Sequence, residues 1–273
     1  MNLHSLWFTL SAEITKQHRN RVKGRAVFFS LLLWPALTFL TTYFTMQPFR
    51  TGAGSALSKV IPDGRIPLFL LSGYLVFQLY WTVVQAAWLF EQERKGGTLE
   101  VVFLTPASKM AFLYGRSVYS LFHGIWMFAC FSILTFIFLA DVTTVNWGAL
   151  IPVLILIMIS AVIWGALLCA ISLFSRDSGL LYYIFQAPME LLFGGVRIPP
   201  AVFPAWATGL SLLFPLTYSL VLVRGALYDN IGTSWWWALG ALIVGSACLV
   251  ICTRYLLVRA EQHARVKGNW TLF

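Results

Sequence analysis

The chain has 273 residues, of which 59% are hydrophobic and only 11% charged, with a net charge of +9. A soluble globular domain carries roughly 25% charged residues, so the composition excludes a water-solvated fold and makes a lipid bilayer the solvent for most of the chain. The 19 basic residues sit at the ends of apolar runs, the positive-inside arrangement, and they form no continuous patch of the kind a nucleic-acid surface needs.

Residues 1–25 come first. Leu3, Leu6, Trp7, Leu10 and Ile14 recur at helical spacing, and His4, Ser5, Ser11 and Glu13 take the opposite face. Lys16, His18, Arg19, Arg21, Lys23 and Arg25 follow. An apolar stripe with a basic flank predicts an amphipathic helix lying in the membrane interface; the alternative is an ordinary helix packed on protein. Span 1 covers about Ala26–Met46, with a kink expected at Pro35. It is longer than a signal-peptide core and lacks a small-residue cleavage site, so it reads as a retained span. Residues 47–65, with Gly52, Gly54 and Pro62-Asp63-Gly64, read as a loop. Span 2 is about Ile66–Phe90 and carries Gln78, Tyr80, Trp81 and Gln85.

The segment 91–112 is the longest charged interruption, with Glu91, Glu93, Arg94, Lys95 and Glu100 close together before a Thr105-Pro106 break. Span 3 is about Leu113–Leu139 and contains His123, Asp141–Asn146 is a short turn, and span 4 is about Trp147–Phe174. Gly179–Val196 is apolar except for Glu190, while Ile198–Val223 is broken by Pro199-Pro200, Pro204 and Pro215. The last span, Asn230–Thr253, opens on Trp235, Trp236 and Trp237, an aromatic belt.

Charge decides the parity. With the N-terminus inside, six spans place 14 of the 19 basic residues inside and leave Arg50, Lys59, Arg65, Arg197 and Arg224 outside. Seven spans would export the basic C-terminal tail and nearly abolish the bias. The expectation is an all-α membrane protein with six transmembrane helices, both termini cytoplasmic, in the plasma (cytoplasmic) membrane. The proline-broken stretch 197–229 then forms a re-entrant outer helical hairpin between spans 5 and 6, with halves at about Ala201–Phe214 and Leu216–Tyr228. Residues 1–273 read as one transmembrane domain.

Several chemistries are missing. There is no Gly-x-x-x-x-Gly-Lys-Ser/Thr phosphate loop, no His, Cys and acid cluster at metal spacing, and no suggestion of a catalytic Ser–His–acid set among the scattered His4, His18, His123 and His263. Cys130, Cys169, Cys248 and Cys252 lie in apolar runs and read as small buried hydrophobes. A coupled secondary transporter carries acids in several spans, and here Glu190 is the one carboxylate inside an expected span. Energy is therefore expected from a separate ATPase bound at the charged segment.

That segment also carries a resemblance. Glu93-Arg94-Lys95-Gly96-Gly97-Thr98-Leu99-Glu100, followed by Thr105-Pro106-Ala107-Ser108, resembles the E-(R/K)-x-x-G-T-L-E … T-P-x-S signature of type-2 ATP-binding-cassette exporter permeases, in the branch of daunorubicin-type drug exporters. Gly194-Gly195-Val196-Arg197-Ile198-Pro199-Pro200 is similar to that family's Gly-Val-x-x-Pro turn. Phe214-Pro215-Leu216-Thr217-Tyr218 with Arg224 is similar to its Asn-Pro-Leu-Thr-Tyr … Arg stretch, with Phe214 in the place of Asn.

The resemblance implies a coupling segment seated on a separate nucleotide-binding subunit. Glu91, Glu93, Arg94, Gly97, Thr98, Leu99, Glu100, Thr105 and Pro106 would be its coupling residues. Two permease chains, alike or paralogous, and two ATPase chains would make the exporter. ATP and Mg would be held by the partner and no cofactor by this chain.

Gln78, Tyr80, Trp81, His123, Gln186 and Glu190 are substrate-path candidates, and Arg197, Pro215 and Arg224 are outer-gate candidates. Glu190 either pairs with Arg197 or Arg224 as a lock or contacts cargo. An amphipathic drug-like or lipid-like cargo is expected first and a polysaccharide or lipid-linked glycan second. A membrane enzyme lacks its cluster of acids and histidines, and a scaffold or sensor subunit stays open.

Overall fold

The computed structural model describes residues 3–21, 66–97, 107–138, 145–174 and 191–267, with isolated positions at 33, 36, 37, 40, 41, 44, 102, 104 and 105. The 47–65 loop, the start of the expected fifth span and most of span 1 lie outside the described residues.

Seven helices are found among the described residues: α1 (Leu3–Arg21), α2 (Ile66–Lys95), α3 (Lys109–Phe138), α4 (Trp147–Ser172), α5 (Ala205–Ser211), α6 (Pro215–Leu227) and α7 (Thr233–Lys267). A helical turn at Leu191–Phe193 and a 3-10 turn at Pro200–Val202 precede α5. The described residues contain no strand. Among the described residues, three segments are long and apolar enough to cross a membrane: Leu68–Gln85, Trp147–Ser172 and Thr233–His263. α5 and α6 together make a fourth if the pair counts as one span, but they meet at a bend of 89°. The described residues are all-helical, and their apolar spans make this a membrane-embedded protein.

Local sequence explains these elements. Asn146 caps α4, its side-chain oxygen accepting from the Ala149 N–H at 3.2 Å. α4 is apolar all round, as a bilayer span must be. Its Leu150, Val153, Ile157 and Ala161 stripe is buried, whereas Ile151, Ile155 and Ile159 are more than half exposed on the other side, where lipid replaces water. α6 starts with Pro215 in the first turn, where a proline's missing N–H costs nothing. The same residue cannot continue α5, which breaks the pair at Leu212–Phe214. Pro204 holds an extended backbone just ahead of α5.

Helix ends differ from the hydropathy boundaries at charged segments. α2 continues past Phe90 through Glu91–Lys95 and stops at Gly96–Gly97, where Gly97 takes φ +71, the left-handed value that ends helices. α3 begins at Lys109, so the charged interruption is helical at both ends. α7 runs on to Lys267, because Arg254 to Lys267 are good helix formers without glycine or proline.

Two expectations are corrected. Cys169 is buried, but Cys248 and Cys252 are exposed on α7, and all four thiols are free; they face outward because the bundle-facing stripe of α7 is Trp235, Ala238, Leu242 and Ser246. The second correction concerns Glu13 of α1, whose side chain is only 4% exposed, for a reason given below.

A hydroxyl network fastens the bundle centre. Tyr80 of α2, with no exposed surface, donates to Ser160 Oγ of α4 at 3.2 Å and lies 2.9 Å from Ser219 Oγ of α6. Ser246 of α7 donates to Ser160 at 3.2 Å. Four helices thus meet at one polar point, where no water would replace a lost partner. Trp235 adds a further tie, donating to the Leu222 carbonyl at 3.1 Å. Tyr80→Phe keeps the ring and removes only the hydroxyl. It is expected to lower stability by about 0.5–1.5 kcal/mol, read by denaturation in detergent, with Phe77→Tyr as a control that leaves the network intact.

Candidate functional site

Arg116 is the most consequential ionisable residue in the fold. It lies on α3, 2% exposed, two turns from Lys109. A guanidinium never gives up its charge, so burying one in an apolar bundle requires carboxylates within reach. Two helices supply them. Glu93, in the last turn of α2, accepts from Arg116 Nη1 at 2.8 Å. Glu13 comes from α1, with Arg116 Nη1 3.8 Å from its Oε1.

α1 can deliver Glu13 because it lies directly on α3. At Gly115 a β-carbon would sit 3.2 Å from the Leu10 carbonyl oxygen and 3.3 Å from Glu13 Cβ, so only glycine permits this approach without a shift. α1 therefore turns Glu13 and Gln17 inward, and both are buried, whereas Trp7 and Phe8 are 70% and 69% exposed. The helical stripe alone placed Glu13 on the solvent face; Arg116 draws it into the protein.

The remaining groups close the cluster. Lys16 Nζ reaches Glu93 Oε1 at 3.0 Å and Glu13 Oε2 at 3.6 Å. The Gln17 amide donates to Glu13 Oε1 at 2.7 Å and to Glu93 Oε1 at 3.2 Å. Phe90 and Phe112 wall the site, with the Arg116 guanidinium 5.5 Å from the Phe90 centroid and Lys16 Nζ 5.7 Å from that of Phe112. Two cations and two carboxylates from three helices form a clasp. Lys109 and Glu261, 3.0 Å apart, tie the start of α3 to the end of α7 beside it.

The two carboxyls titrate in opposite directions. Burial pushes the Glu13 carboxyl above its ordinary 4.5, and the Gln17 hydrogen bond and the more distant Lys16 and Arg116 only partly oppose it. Burial acts the same way on Glu93, but Arg116 at contact distance and then Lys16 outweigh it and hold Glu93 below 4.5. Of the two, Glu93 is the carboxyl whose charged form the clasp favours.

The expected coupling residues are placed as follows. Glu93 faces inward to the clasp. Glu91 and Arg94 share the last turn of α2 with it, and Gly97 is the exposed stop of that helix. Thr105 is exposed and donates to the Val102 carbonyl at 2.6 Å. Thr98, Leu99, Glu100 and Pro106 lie outside the described residues.

The substrate-path candidates do not converge. Tyr80 belongs to the hydroxyl network. Gln78 is buried and donates to Met127 Sδ at 3.7 Å, bridging α2 and α3. Trp81 packs on Phe77 and His123 stacks on Trp126. Gln186 and Glu190 lie outside the described residues.

Two of the outer-gate candidates, Arg197 and Arg224, gather at the opposite end of α2. Arg224 donates to the Gly195, Val196 and Phe69 carbonyls at 2.9, 3.1 and 3.2 Å and lies 3.5 Å over the Phe69 ring. Arg197 donates to Tyr74 Oη at 2.8 Å. Arg224 thus fastens the 195–197 turn to the last turns of α6 and the first turns of α2. Pro215 stands at the α5–α6 break.

Sequence reasoning missed Glu13, Lys16, Gln17 and Arg116. One signal was available: Arg116 falls just inside the apolar run of span 3, where an unpaired cation is untenable. Among the described residues no group of His, Cys, Asp and Glu is arranged to hold a metal. No protein-family model matches the chain, and no curated protein matches it.

The clasp makes a signed pH prediction. The Glu93 contribution is complete above about 4.5 and is lost as pH falls through its lowered pKa. The Glu13 carboxyl favours folding below about 4.5, and that contribution fades as pH rises through its raised pKa. Glu93→Gln should therefore destabilise the chain at pH 7 by about 1.5–3 kcal/mol, and Glu13→Gln should be neutral or stabilising there. Denaturation of both variants in nanodiscs between pH 4 and 8, with proteolysis within α1 as a second readout, checks the opposite signs.

Proposed function

We propose that this chain is the membrane-spanning permease subunit of an ATP-driven exporter of the type-2 ATP-binding-cassette kind, driven by a separate ATPase through the α2–α3 connection. The observation that carries this reading is the clasp. Glu93 opens the motif that resembles the coupling signature, and its carboxylate bonds at once to α1 and α3. A push on the connection from outside the membrane reaches three helices through one carboxylate. Nothing else among the described residues joins the polar end of the bundle to its apolar body by so short a route.

In this reading the α2–α3 connection faces the cytoplasm of the cell whose plasma membrane holds the protein, and both termini lie on that side. Glu91, Arg94, Thr98, Leu99 and Glu100 offer docking charge and apolar area to the ATPase, whereas Glu93 serves transmission. α1 lies in the interface, its exposed Trp7 and Phe8 suited to the headgroup boundary. The bend between α5 and α6 supports a re-entrant hairpin. The residues before α5 meet Arg224 near the end of α6, and Asn146 at the start of α4 donates to the Ala226 carbonyl at 3.0 Å. These contacts support a hairpin that returns to the end it started from, and with it the six-span parity.

Two permease chains, alike or paralogous, and two ATPases complete the machine, with ATP and Mg held by the ATPases. The cargo is an amphipathic drug-like or lipid-like molecule taken from the cytoplasm or inner leaflet.

Purified alone, the chain should hydrolyse no ATP. Hydrolysis should appear on addition of its cognate ATPase, and Glu100→Ala should weaken that association in a pull-down. Hydrolysis by the chain alone, or capture and transport untouched by Glu100→Ala together with Gly97→Pro, would contradict the coupling role. A cysteine introduced at Lys267 should resist a membrane-impermeant thiol reagent in intact cells; ready labelling there rules out six spans.

A further inference from the structure

A cavity of about 190 Å³ lies away from the clasp, among α2, α3, α4 and α6. Leu71, Leu75, Phe128, Leu154 and Val223 wall it, and Trp147, 44% exposed, stands at one end. No charged side chain lines it. The Ser72 hydroxyl in its wall is already used on the Phe69 carbonyl at 3.0 Å. Such a space is inhospitable to water, which needs two to four polar partners, and an aliphatic cavity of about 150 Å³ is known to take benzene instead.

One end is polar. Asn146 immediately precedes Trp147, and Asp229 stands two residues beyond Leu227; both Trp147 and Leu227 line the cavity. Asn146 Nδ2 donates to Asp229 Oδ1 at 3.0 Å, which fixes the carboxylate at this end. Asp229 is exposed, holds a left-handed backbone at φ 49, and makes no ion pair among the described residues. Arg224, one turn back on α6, spends its donors on the Gly195, Val196 and Phe69 carbonyls.

We propose that this cavity binds the hydrocarbon part of an amphipathic cation, with Asp229 facing the positive head group at its mouth. The site deepens the transport reading above by naming the cargo class, and it rests on that reading only for its purpose. The occupant is a free amphiphile of about one short alkyl chain or one ring. A bilayer phospholipid carries two long chains and fits neither the volume nor the single charge.

The test uses the full chain alone in phosphatidylcholine nanodiscs, without ATPase, so that it can fail while the coupling scheme holds. Radiolabelled decyltrimethylammonium is compared with decyl sulfate and decanol, which share its tail. Saturable binding of the ammonium is expected, tighter than that of the other two. Asp229→Asn keeps the left-handed backbone and the Asn146 bond, and should weaken only the ammonium, about fivefold, the size of a well-placed exposed ion pair. Leu75→Trp fills the cavity and should abolish saturable binding. Leu154→Phe, on the facing helix, should reduce it, and serves if the first variant does not fold. Equal binding of all three head groups, or non-saturable uptake unchanged by both cavity variants, as when lipid occupies the space, overturns the proposal.

Discussion

A guanidinium buried among apolar helices has to be neutralised where it lies, and the placement of Arg116 organises one end of this protein. Removing the charged partner of a buried cation costs about 1.5–3 kcal/mol, because the charge left behind has neither water nor its full set of counter-ions. The pressure to keep its partners draws Glu93 inward from the end of α2 and holds α1 against α3 with its polar face turned in. The N-terminal helix thereby becomes part of the bundle. Gly115 matters for the same reason, since a β-carbon there would crowd the Leu10 carbonyl and Glu13 Cβ and push α1 off by a few tenths of an ångström.

The opposite end of the bundle is held by different means. Arg224 is paired with backbone carbonyls and an aromatic face, and Arg197 with a tyrosine hydroxyl. Carbonyls neutralise a cation less completely than carboxylates do, so these contacts hold less firmly than the clasp. Between the two ends sits the Tyr80–Ser160–Ser219–Ser246 network, which ties α2 to α4, α6 and α7. In the proposed transport reading, movement of α2 at the clasp would pass to α6 through this point. In the proposed reading, the clasp would receive the push and the central network would carry it to the far end.

Much of this was legible in the sequence. Apolar runs found α2, α4 and α7 because a bilayer demands about 20 consecutive apolar residues. The prolines at 199, 200, 204 and 215 foretold the break between α5 and α6 because proline cannot continue a helix. What hydropathy could not see was direction. α1 has an apolar stripe, and periodicity assigned Glu13 to the water side; which face meets protein was decided by Arg116, more than 100 residues away in sequence. Glu93 was singled out for its motif and read as a docking residue, because a motif shows that a residue belongs to a segment without showing which way it points. The cavity was invisible for a related reason: its walls come from four helices, and no single stretch of sequence marks it.

The central claim is that α1, the end of α2 and the start of α3 move as one body because Glu93 joins them. Spin labels at the exposed positions Ala12 of α1 and Phe122 of α3, measured by pulsed dipolar spectroscopy with the ATPase bound, test it most directly. The account predicts one narrow distance distribution, unchanged between the nucleotide-free and ATP-trapped states, that broadens when Glu93 is replaced by Gln. A separation that changes with nucleotide in the unaltered clasp, or that ignores Glu93→Gln, would contradict it.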